Sequence, residues 1–199
     1  NVLEDIGGDC IKPWGSDAPL VEYNIVRGGR MRCDDGAAGI WPFDCNDALI
    51  QFNEVSGVKG IKDGQSFDSD FLSRRSVFQY NYSHDNEGGF MLVCAPGSSF
   101  NEGTIVRYNI SQNDGIDTAR VFQFGGGATN TKIYNNTIYV GRNQKLPMVL
   151  CGEWEGGIPD GVEFYNNLFY VDGRVRYEFG PAKNVVFSHN IFYGSHDKA

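Results

Sequence analysis

The chain has 199 residues, which is enough for one domain with a sizeable core and hardly enough for two. Its 41% hydrophobic and 21% charged residues are typical of a folded protein and exclude a disordered one. No apolar run approaches the length of a transmembrane helix. The net charge of -8 argues against binding to nucleic acid or to anionic membranes, because both attract positive charge. The 26 glycines and 14% aromatic residues indicate a turn-rich β protein.

One short pattern recurs along the entire chain, with an apolar residue three positions before an asparagine. It first occurs complete as Val21-Glu22-Tyr23-Asn24 and ends with the copy at Asn190. The repeated asparagines are Asn1, Asn24, Asn53, Asn81, Asn109, Asn136, Asn167 and Asn190. Their spacings of 23 to 31 residues are typical of the coils of a solenoid.

Each repeated asparagine separates two short apolar-periodic strands, which indicates a sharp bend in the chain. We expect the asparagine itself to adopt the left-handed backbone conformation there, because it tolerates that region better than any residue except glycine. Its amide could also satisfy backbone groups at the bend and bind the next asparagine. Coils stacked at about 4.8 Å would then hold the asparagines in a buried ladder.

A further strand follows each repeated asparagine after roughly 8 to 17 residues, bounded by glycine-rich or acidic turns. The copies lie at 11–14, 39–44, 64–68, 89–93, 121–124, 147–150 and 175–179. No stretch shows a sustained helical period. The sequence therefore predicts an all-β fold in which residues 1–199 form a single solenoid domain of about seven to eight coils.

The asparagine-centred repeat resembles the right-handed parallel β-helix of the pectin-lyase-like superfamily over essentially the entire chain. This resemblance implies a single-stranded β-helix and a secreted, extracellular or periplasmic, carbohydrate-active protein. The superfamily consists largely of polysaccharide lyases and glycoside hydrolases. The motif sets of polygalacturonase-like hydrolases and of calcium-dependent pectate lyases are not found, so the resemblance implies carbohydrate chemistry without naming the reaction. Calcium remains a candidate ion with no ligand set assigned.

The best carboxylate pair in the chain is Asp68 and Asp70. Residues i and i+2 of a strand face the same side about 6.6 Å apart, near the separation that glycosidases use for their acid and base. Asp44 occupies a comparable place one coil earlier and is a candidate substrate contact. The alternative is that these acids are solvated turn residues or pair with Arg74 and Arg75.

The turn after Asn81 contains two further candidates, His84 and Glu87. A histidine could shuttle a proton near neutral pH, and Glu87 could add a carboxylate. The next coil has a similar turn, Ser111-Gln112-Asn113-Asp114-Gly115, without histidine. A structural role for this turn is therefore the alternative.

Aromatic and charged side chains could bind the sugar. Tryptophan rings stack on sugar faces, and arginines bind uronate carboxylates in a bidentate manner. Core packing and local salt bridges are the alternatives. The candidates for substrate binding, besides Asp44, are Trp14, Trp41, Arg75, Arg120, Glu153 and Trp154.

Clustered aspartates favour hydrolysis of a polysaccharide or oligosaccharide. β-Elimination by a lyase is the first alternative, since it would need a basic side chain and a group that neutralises a uronate. A non-catalytic sugar-binding or structural β-helix segment is the second. In each case the predicted partner is a carbohydrate and neither a nucleic acid nor a membrane.

Two further expectations concern the cysteines and the chain ends. The five cysteines contain no metal-binding pair at short spacing, and they are either small core residues or include a Cys33–Cys45 disulfide. The chain starts at a ladder asparagine, which would leave Leu3, Ile6 and Ile11 uncovered. We therefore expect neighbouring coils or a domain on the N-terminal side, or end-to-end self-association.

Overall fold

The computed structural model describes residues 1–34, 36–116 and 119–197. These residues form short parallel strands on three faces of a solenoid, and none of them is in an α-helix. Among them, no helix is long and apolar enough to cross a bilayer. The predicted all-β parallel β-helix is thus confirmed.

The first face is formed by strands that precede the repeated asparagines. They are Leu20–Glu22, Leu49–Gln51, Val77–Gln79, Ile105–Arg107, Ala128–Tyr134, Asp160–Tyr165 and Lys183–Ser188, with the short strands Ser73–Arg74 and Asn101–Glu102 at the margin of the sheet.

The second face follows the asparagines, and the third face lies further along each coil. Strands of the second face are Val2–Glu4, Ile25–Arg27, Glu54–Ser56, Tyr82–His84, Ile110–Gln112, Thr137–Val140, Leu168–Glu178 and Ile191–His196. Strands of the third face are Gln65–Ser69, Gly89–Ala95, Phe122–Gly126 and Lys145–Gly152, and the long strand Leu168–Glu178 joins the second and third faces.

Inward side chains of successive coils stack in columns that fill the solenoid. On the third face, one such column pairs Phe67 with Met91, Met91 with Phe122, and Phe122 with Val149. All four are fully buried. Because side chains alternate along a strand, the residues that follow this column, among them Asp68 and Leu92, point outward. The core therefore fixes which third-face residues reach the surface.

The asparagine ladder is confirmed in full. The side-chain amide nitrogen of each asparagine donates a hydrogen bond to the side-chain oxygen of the next, at 2.8–3.1 Å, from Asn1 to Asn190. The oxygen of Asn81 also accepts from the backbone N–H of Asn53, and the Asn81 amide donates to the carbonyl of Ile50. Each rung thereby satisfies backbone groups that burial removes from water.

The expected conformation of these asparagines is wrong. The left-handed residue is the one before each ladder position, with φ of 54–56° at Tyr23, Phe52, Tyr80, Tyr108, Asn135, Asn166 and His189. This residue takes the bend, so that the asparagine can direct its amide inward. The rings of Tyr23, Phe52, Tyr80 and Tyr108 stack outside at centroid distances of 5.1–5.2 Å.

Two smaller expectations also differ from the structure. The solenoid has about six turns, fewer than seven to eight, because the first coil contributes only isolated bridges at Ile11, Trp14 and Asp17 to the later part of its turn. The Cys33–Cys45 disulfide is not formed. The Cys45 thiol is buried and donates to the carbonyl of Phe43 at 3.3 Å.

Candidate active site

A pocket of about 280 Å³ opens on the outer side of the third face. It combines carboxyl groups, a thiol and aromatic rings that come from several coils. The lining residues with such side chains are Asp63, Asp68, Asp70, Cys94, Trp41, Phe43, Phe71 and Trp154. The sequence analysis selected four of these eight residues, namely both members of the carboxylate pair and two tryptophans.

Asp68 and Asp70 point to the same side, as their i and i+2 spacing predicts. Asp68 lies next to the inward Phe67 on the strand Gln65–Ser69, and Asp70 follows the end of that strand. Cys94 belongs to the neighbouring strand, and one ligand atom from each of the three residues lies within 4.8 Å of the others. Asp68 and Asp70 are only 5% and 6% exposed, so this carboxyl pair is largely shielded from water.

Burial dominates the electrostatics of this pair. Desolvation raises the pKa of Asp70 to about 6, although hydrogen bonds from the Phe71 N–H and the Cys94 thiol favour its charged form. The pKa of Asp68 is raised well above its usual value by desolvation first, then by the charges of Asp70 and Asp63. Both shifts favour the protonated forms of the pair, because burial and the neighbouring carboxylates disfavour negative charge.

Asp63 is the pocket carboxylate that the sequence analysis missed. It is partly exposed and lies in the loop that connects the strands Glu54–Ser56 and Gln65–Ser69. Its negative charge raises the pKa of both Asp68 and Asp70. Strand periodicity does not identify it because it lies outside any strand. The only local signal is the following Gly64, whose φ of 88° returns the chain to the third face.

Two predicted site residues hold this loop from neighbouring coils and do not enter the pocket. Arg120, expected to contact substrate, is 6% exposed, and its guanidinium donates to the carbonyls of Ile61 and Lys62 at 2.5 and 2.9 Å. Glu87, expected to assist catalysis, accepts the N–H of Gly60 at 2.8 Å and pairs with Lys59. The Gly60 N–H is the largest cause of the lowered pKa of Glu87.

His84 lies on the second face, and the structure does not bring it to the pocket. Its ring stacks on Tyr82 at 4.5 Å, with nitrogens 2.9 Å from Asp85 and 3.6 Å from Glu54. Because the strand Tyr82–His84 precedes the corner that leads to the third face, the imidazole is separated from the carboxyl pair by that corner. These contacts fit the alternative interpretation, a structural role in the turn.

The three tryptophans have different environments. Trp41 is 8% exposed, donates from its indole N–H to Asp9 at 2.9 Å, and has the Lys12 ammonium 3.5 Å from its ring centroid. Trp154 is partly exposed and borders the pocket from the other side. Trp14 is 66% exposed and does not line the pocket; its ring meets the edge of Phe43.

The ring of Trp154 lies against two glycines of the third face. A Cβ atom at Gly125 would come within 2.5 Å of this ring, and one at Gly152 would lie 3.4 Å from its Nε1. Gly125 is the register partner of Cys94. Only the absence of side chains in this outward column allows the indole to lie so close to the carboxyl pair.

The remaining predicted contacts lie outside the pocket. Glu153 accepts the N–H of Gly156 at 3.0 Å and thus supports the turn that carries Trp154. Arg75 is exposed and forms a bidentate ion pair with Asp47 at 2.7 Å. Asp44 is exposed beside the pocket, and its backbone N–H donates to Phe71.

Comparison with known proteins connects this chain to glycosidases. It is 32% identical to a lacto-N-biosidase of Bifidobacterium longum subsp. longum over 213 positions, covering 86% of this chain and 13% of that protein. Two crystal structures of a GH136 lacto-N-biosidase from Eubacterium ramulus, the selenomethionine derivative and the native protein, superpose with TM-scores of 0.63 and 0.62 at 26% and 25% identity. Each covers 97% of this chain and 27% of the solved chain. No family profile matches the sequence.

The chain thus spans between about an eighth and about a quarter of the length of these relatives. Over the aligned segments it is 26% identical to the solved structure, whose fold it shares, and 32% identical to the Bifidobacterium protein. Both relatives are lacto-N-biosidases by name, and neither is a lyase.

Proposed function

We propose that this chain carries the catalytic centre of a glycoside hydrolase that acts on an oligosaccharide. The observation that carries the proposal is the pocket between Trp41 and Trp154, where Asp63, Asp68 and Asp70 converge. Glycosidic bond hydrolysis needs one protonated carboxyl group as acid and one ionised carboxylate. The similarity to lacto-N-biosidases supports the same reaction class.

Asp70 is the proposed general acid. Its pKa of about 6 is raised by burial, which matches the environment that keeps a glycosidase acid protonated near neutral pH. In the reaction it donates its proton to the glycosidic oxygen as the bond to the anomeric carbon breaks. It then takes a proton from the water that completes hydrolysis.

Asp63 is the proposed ionised carboxylate. Of the three pocket aspartates it is the one with substantial exposure, so its charged form keeps contact with water until the substrate enters. Arg120, which approaches the same loop, adds a positive charge nearby. The carboxylate stabilises the positive charge that develops on the sugar ring in the transition state.

Asp68 has a supporting role in this proposal. It is enclosed, its side chain contacts Gln65, and burial raises its pKa well above the usual value, which favours its neutral form. The sequence-based pairing of Asp68 with Asp70 therefore gives way to a pairing of Asp63 with Asp70. Asp68 helps to enclose Asp70, whose pKa is raised chiefly by burial.

Trp154 is the proposed platform for a sugar ring. One face of its indole lies on Gly125 and Gly152, and the side chain remains partly exposed at the pocket. The CH groups of a pyranose can pack on such a face while its hydroxyls stay hydrated. Trp41, braced by Asp9 and Lys12, is a rigid wall on the opposite side.

The relatives suggest the substrate class. Both are lacto-N-biosidases by name, so we propose an oligosaccharide with a lacto-N-biose unit as the substrate. A location outside the cell membrane is part of the same proposal. It is supported by the sequence resemblance to carbohydrate-active β-helices and is tested by comparing the protein in culture supernatant and cell fractions.

The proposal is tested by incubating the protein with lacto-N-biose-containing oligosaccharides and with a panel of neutral and acidic polysaccharides. We expect new reducing ends without the ultraviolet absorbance of an unsaturated uronate. Reducing ends together with that absorbance would indicate a lyase. Saturable binding without product, in a protein with an intact melting transition, would indicate a sugar-binding segment whose catalytic residues lie elsewhere.

A further inference from the structure

We propose that Asp68, Asp70 and Cys94 form a binding site for one thiophilic divalent cation, for which Zn²⁺ and Cd²⁺ are the probes. These three side chains are called the carboxyl–thiol cluster. The assignment rests on their geometry and burial, and it does not depend on the glycosidase proposal.

The cluster has the spacing that a tetrahedral metal needs. The Sγ atom of Cys94 lies 3.3 Å from Asp70 Oδ1 and 3.9 Å from Asp68 Oδ1. With metal–sulfur and metal–oxygen bonds of about 2.3 and 2.1 Å, a tetrahedral site separates sulfur from oxygen by about 3.6 Å. The two observed distances lie on either side of this value. For these two sulfur–oxygen pairs, a cation can therefore be bound with movements of a few tenths of an ångström, and the ligand atoms of all three residues lie within 4.8 Å of one another.

An unpartnered buried oxygen lies beside the cluster. Gln65 is 2% exposed and lines the same pocket, and its Nε2 lies 3.4 Å from Asp68 Oδ2. Its Oε1 has no hydrogen-bond partner among the described residues. A half-turn of the carboxamide, which exchanges its two ends, would direct this oxygen toward the cluster. Gln65 can thus supply the fourth ligand through an oxygen that now has no hydrogen-bond partner among the described residues.

The ligand set selects the class of metal. One sulfur and two or three oxygens suit Zn²⁺ or Cd²⁺, whereas Ca²⁺ prefers six to eight oxygen ligands. Asp68 and Cys94 lie on two neighbouring parallel strands. The register of these strands, with Phe67 opposite Met91, fixes the backbone positions of both ligands. Calcium, the candidate ion of the sequence analysis, fits this cluster less well.

Binding exchanges protons for the cation. The thiol proton of Cys94 and the protons held by the carboxyl pair leave to solvent, and metal–sulfur and metal–oxygen bonds form without any change in oxidation state. A cation bound to Asp70 occupies the oxygens that would carry the catalytic proton. If the glycosidase proposal also holds, Zn²⁺ inhibits hydrolysis by competing with that proton.

The test uses the purified protein, stripped with a chelator and titrated with Cd²⁺ alone. We expect one equivalent to bind and to produce the ultraviolet charge-transfer band of a cadmium–thiolate bond. Cys94→Ser should abolish the band and weaken Zn²⁺ binding, measured by calorimetry, at least about tenfold, since even outer-shell partners of metal sites contribute that much. Asp70→Asn should weaken binding similarly while the band remains.

Cys151→Ser is the matched control, because Cys151 is also buried on a third-face strand and no carboxylate contributes to its raised thiol pKa. It should bind like the wild type, and melting curves show whether each variant folds. A band that survives in Cys94→Ser, or wild-type protein that binds neither Cd²⁺ nor Zn²⁺, would overturn the proposal. Cation binding in a protein without hydrolase activity would instead contradict only the proposed function.

Discussion

The guanidinium of Arg120 donates a hydrogen bond to the carbonyl of Ile61, which lies 59 residues earlier in the chain and two positions before Asp63. A second hydrogen bond reaches Lys62, so one buried side chain supports consecutive peptide units of the loop. Arg120 lies just before the third-face strand Phe122–Gly126. The loop that it contacts follows the second-face strand Glu54–Ser56. Their contact links the position of Asp63 to a different coil of the solenoid.

Arg120→Gln should lower turnover more than it changes substrate affinity. Glutamine cannot reach both carbonyls, so the loop that carries Asp63 loses two charge-assisted hydrogen bonds. We expect a reduced kcat with a nearly unchanged KM, and partial recovery in Arg120→Lys. Arg75→Gln, which removes an exposed arginine outside the pocket, is the control. A KM effect alone would indicate direct contact with substrate.

Asp63→Asn and Asp70→Asn should each reduce hydrolysis by about 10²–10⁴-fold, the usual contribution of a positioned acid or base. Asp68→Asn should retain most activity, because burial favours the protonated form of this carboxyl and an amide resembles that form. Initial rates with a lacto-N-biose glycoside measure all three variants. Equal losses in Asp68→Asn and Asp70→Asn, with Asp63→Asn unaffected, would restore the pair that strand spacing alone suggests.

Gly125→Ala should raise KM with a smaller effect on kcat. The new methyl group would occupy space now filled by the Trp154 ring and would displace the sugar platform. Trp154→Ala should raise KM in the same direction. Gly8→Ala is the matched control, because a Cβ at Gly8 meets no atom within 4 Å. Unchanged KM in both pocket variants would remove Trp154 from the substrate site.

Asn81→Ala should destabilise the fold by about 1–3 kcal/mol, the cost of leaving buried polar groups unpaired. The substitution removes the oxygen that accepts from Asn53 and the amide that donates to Asn109 and Ile50. Urea denaturation measures the loss. Asn143→Ala, at an exposed position, should change stability little. Similar midpoints for the two variants would contradict a stabilising ladder.

The pH dependence of stability should contain a contribution from Asp114. This buried carboxyl has a pKa raised to about 6 by desolvation, against 3.8 for its ordinary value. Because the folded state holds the proton more tightly, its contribution is full below pH 4 and is lost as pH rises through 6. The difference corresponds to about 3 kcal/mol.

Asp114→Asn should therefore flatten the fall in melting temperature between pH 4 and 7. Asp68 and Asp70 titrate with the same sign, so the comparison is between wild type and variant at each pH. Parallel curves for wild type and Asp114→Asn would show that folding does not raise the pKa of Asp114.

The fold could be predicted from sequence because every coil repeats one local rule. An apolar residue three positions before Asn81 or Asn109 marks a strand with an inward side chain, and the asparagine marks a ladder rung. The contacts between coils then follow from stacking these repeats. The left-handed position before each asparagine could not be predicted because no single residue type marks it. Tyrosine, phenylalanine, asparagine and histidine all occur there.

The candidate site was only partly predictable. Strand alternation suffices to bring Asp68 and Asp70 together, since Asp68 lies in the strand Gln65–Ser69 and Asp70 directly follows its end. Asp63 depends on how one loop folds back, and the roles of Glu87 and Arg120 depend on contacts with backbone atoms of that loop. These contacts to backbone atoms do not recur from coil to coil, so no repeated pattern in the sequence predicts them.

The ladder also has an evolutionary consequence. Successive rungs are separated by as few as 23 and as many as 31 residues, yet their hydrogen bonds keep the same length. Each rung restores the phase of the chain, so an insertion inside one coil is absorbed locally and leaves the coils above and below aligned. The loop that carries Asp63 can therefore lengthen or diversify by small steps, and new sugar preferences can arise on this scaffold without redesign of its interior.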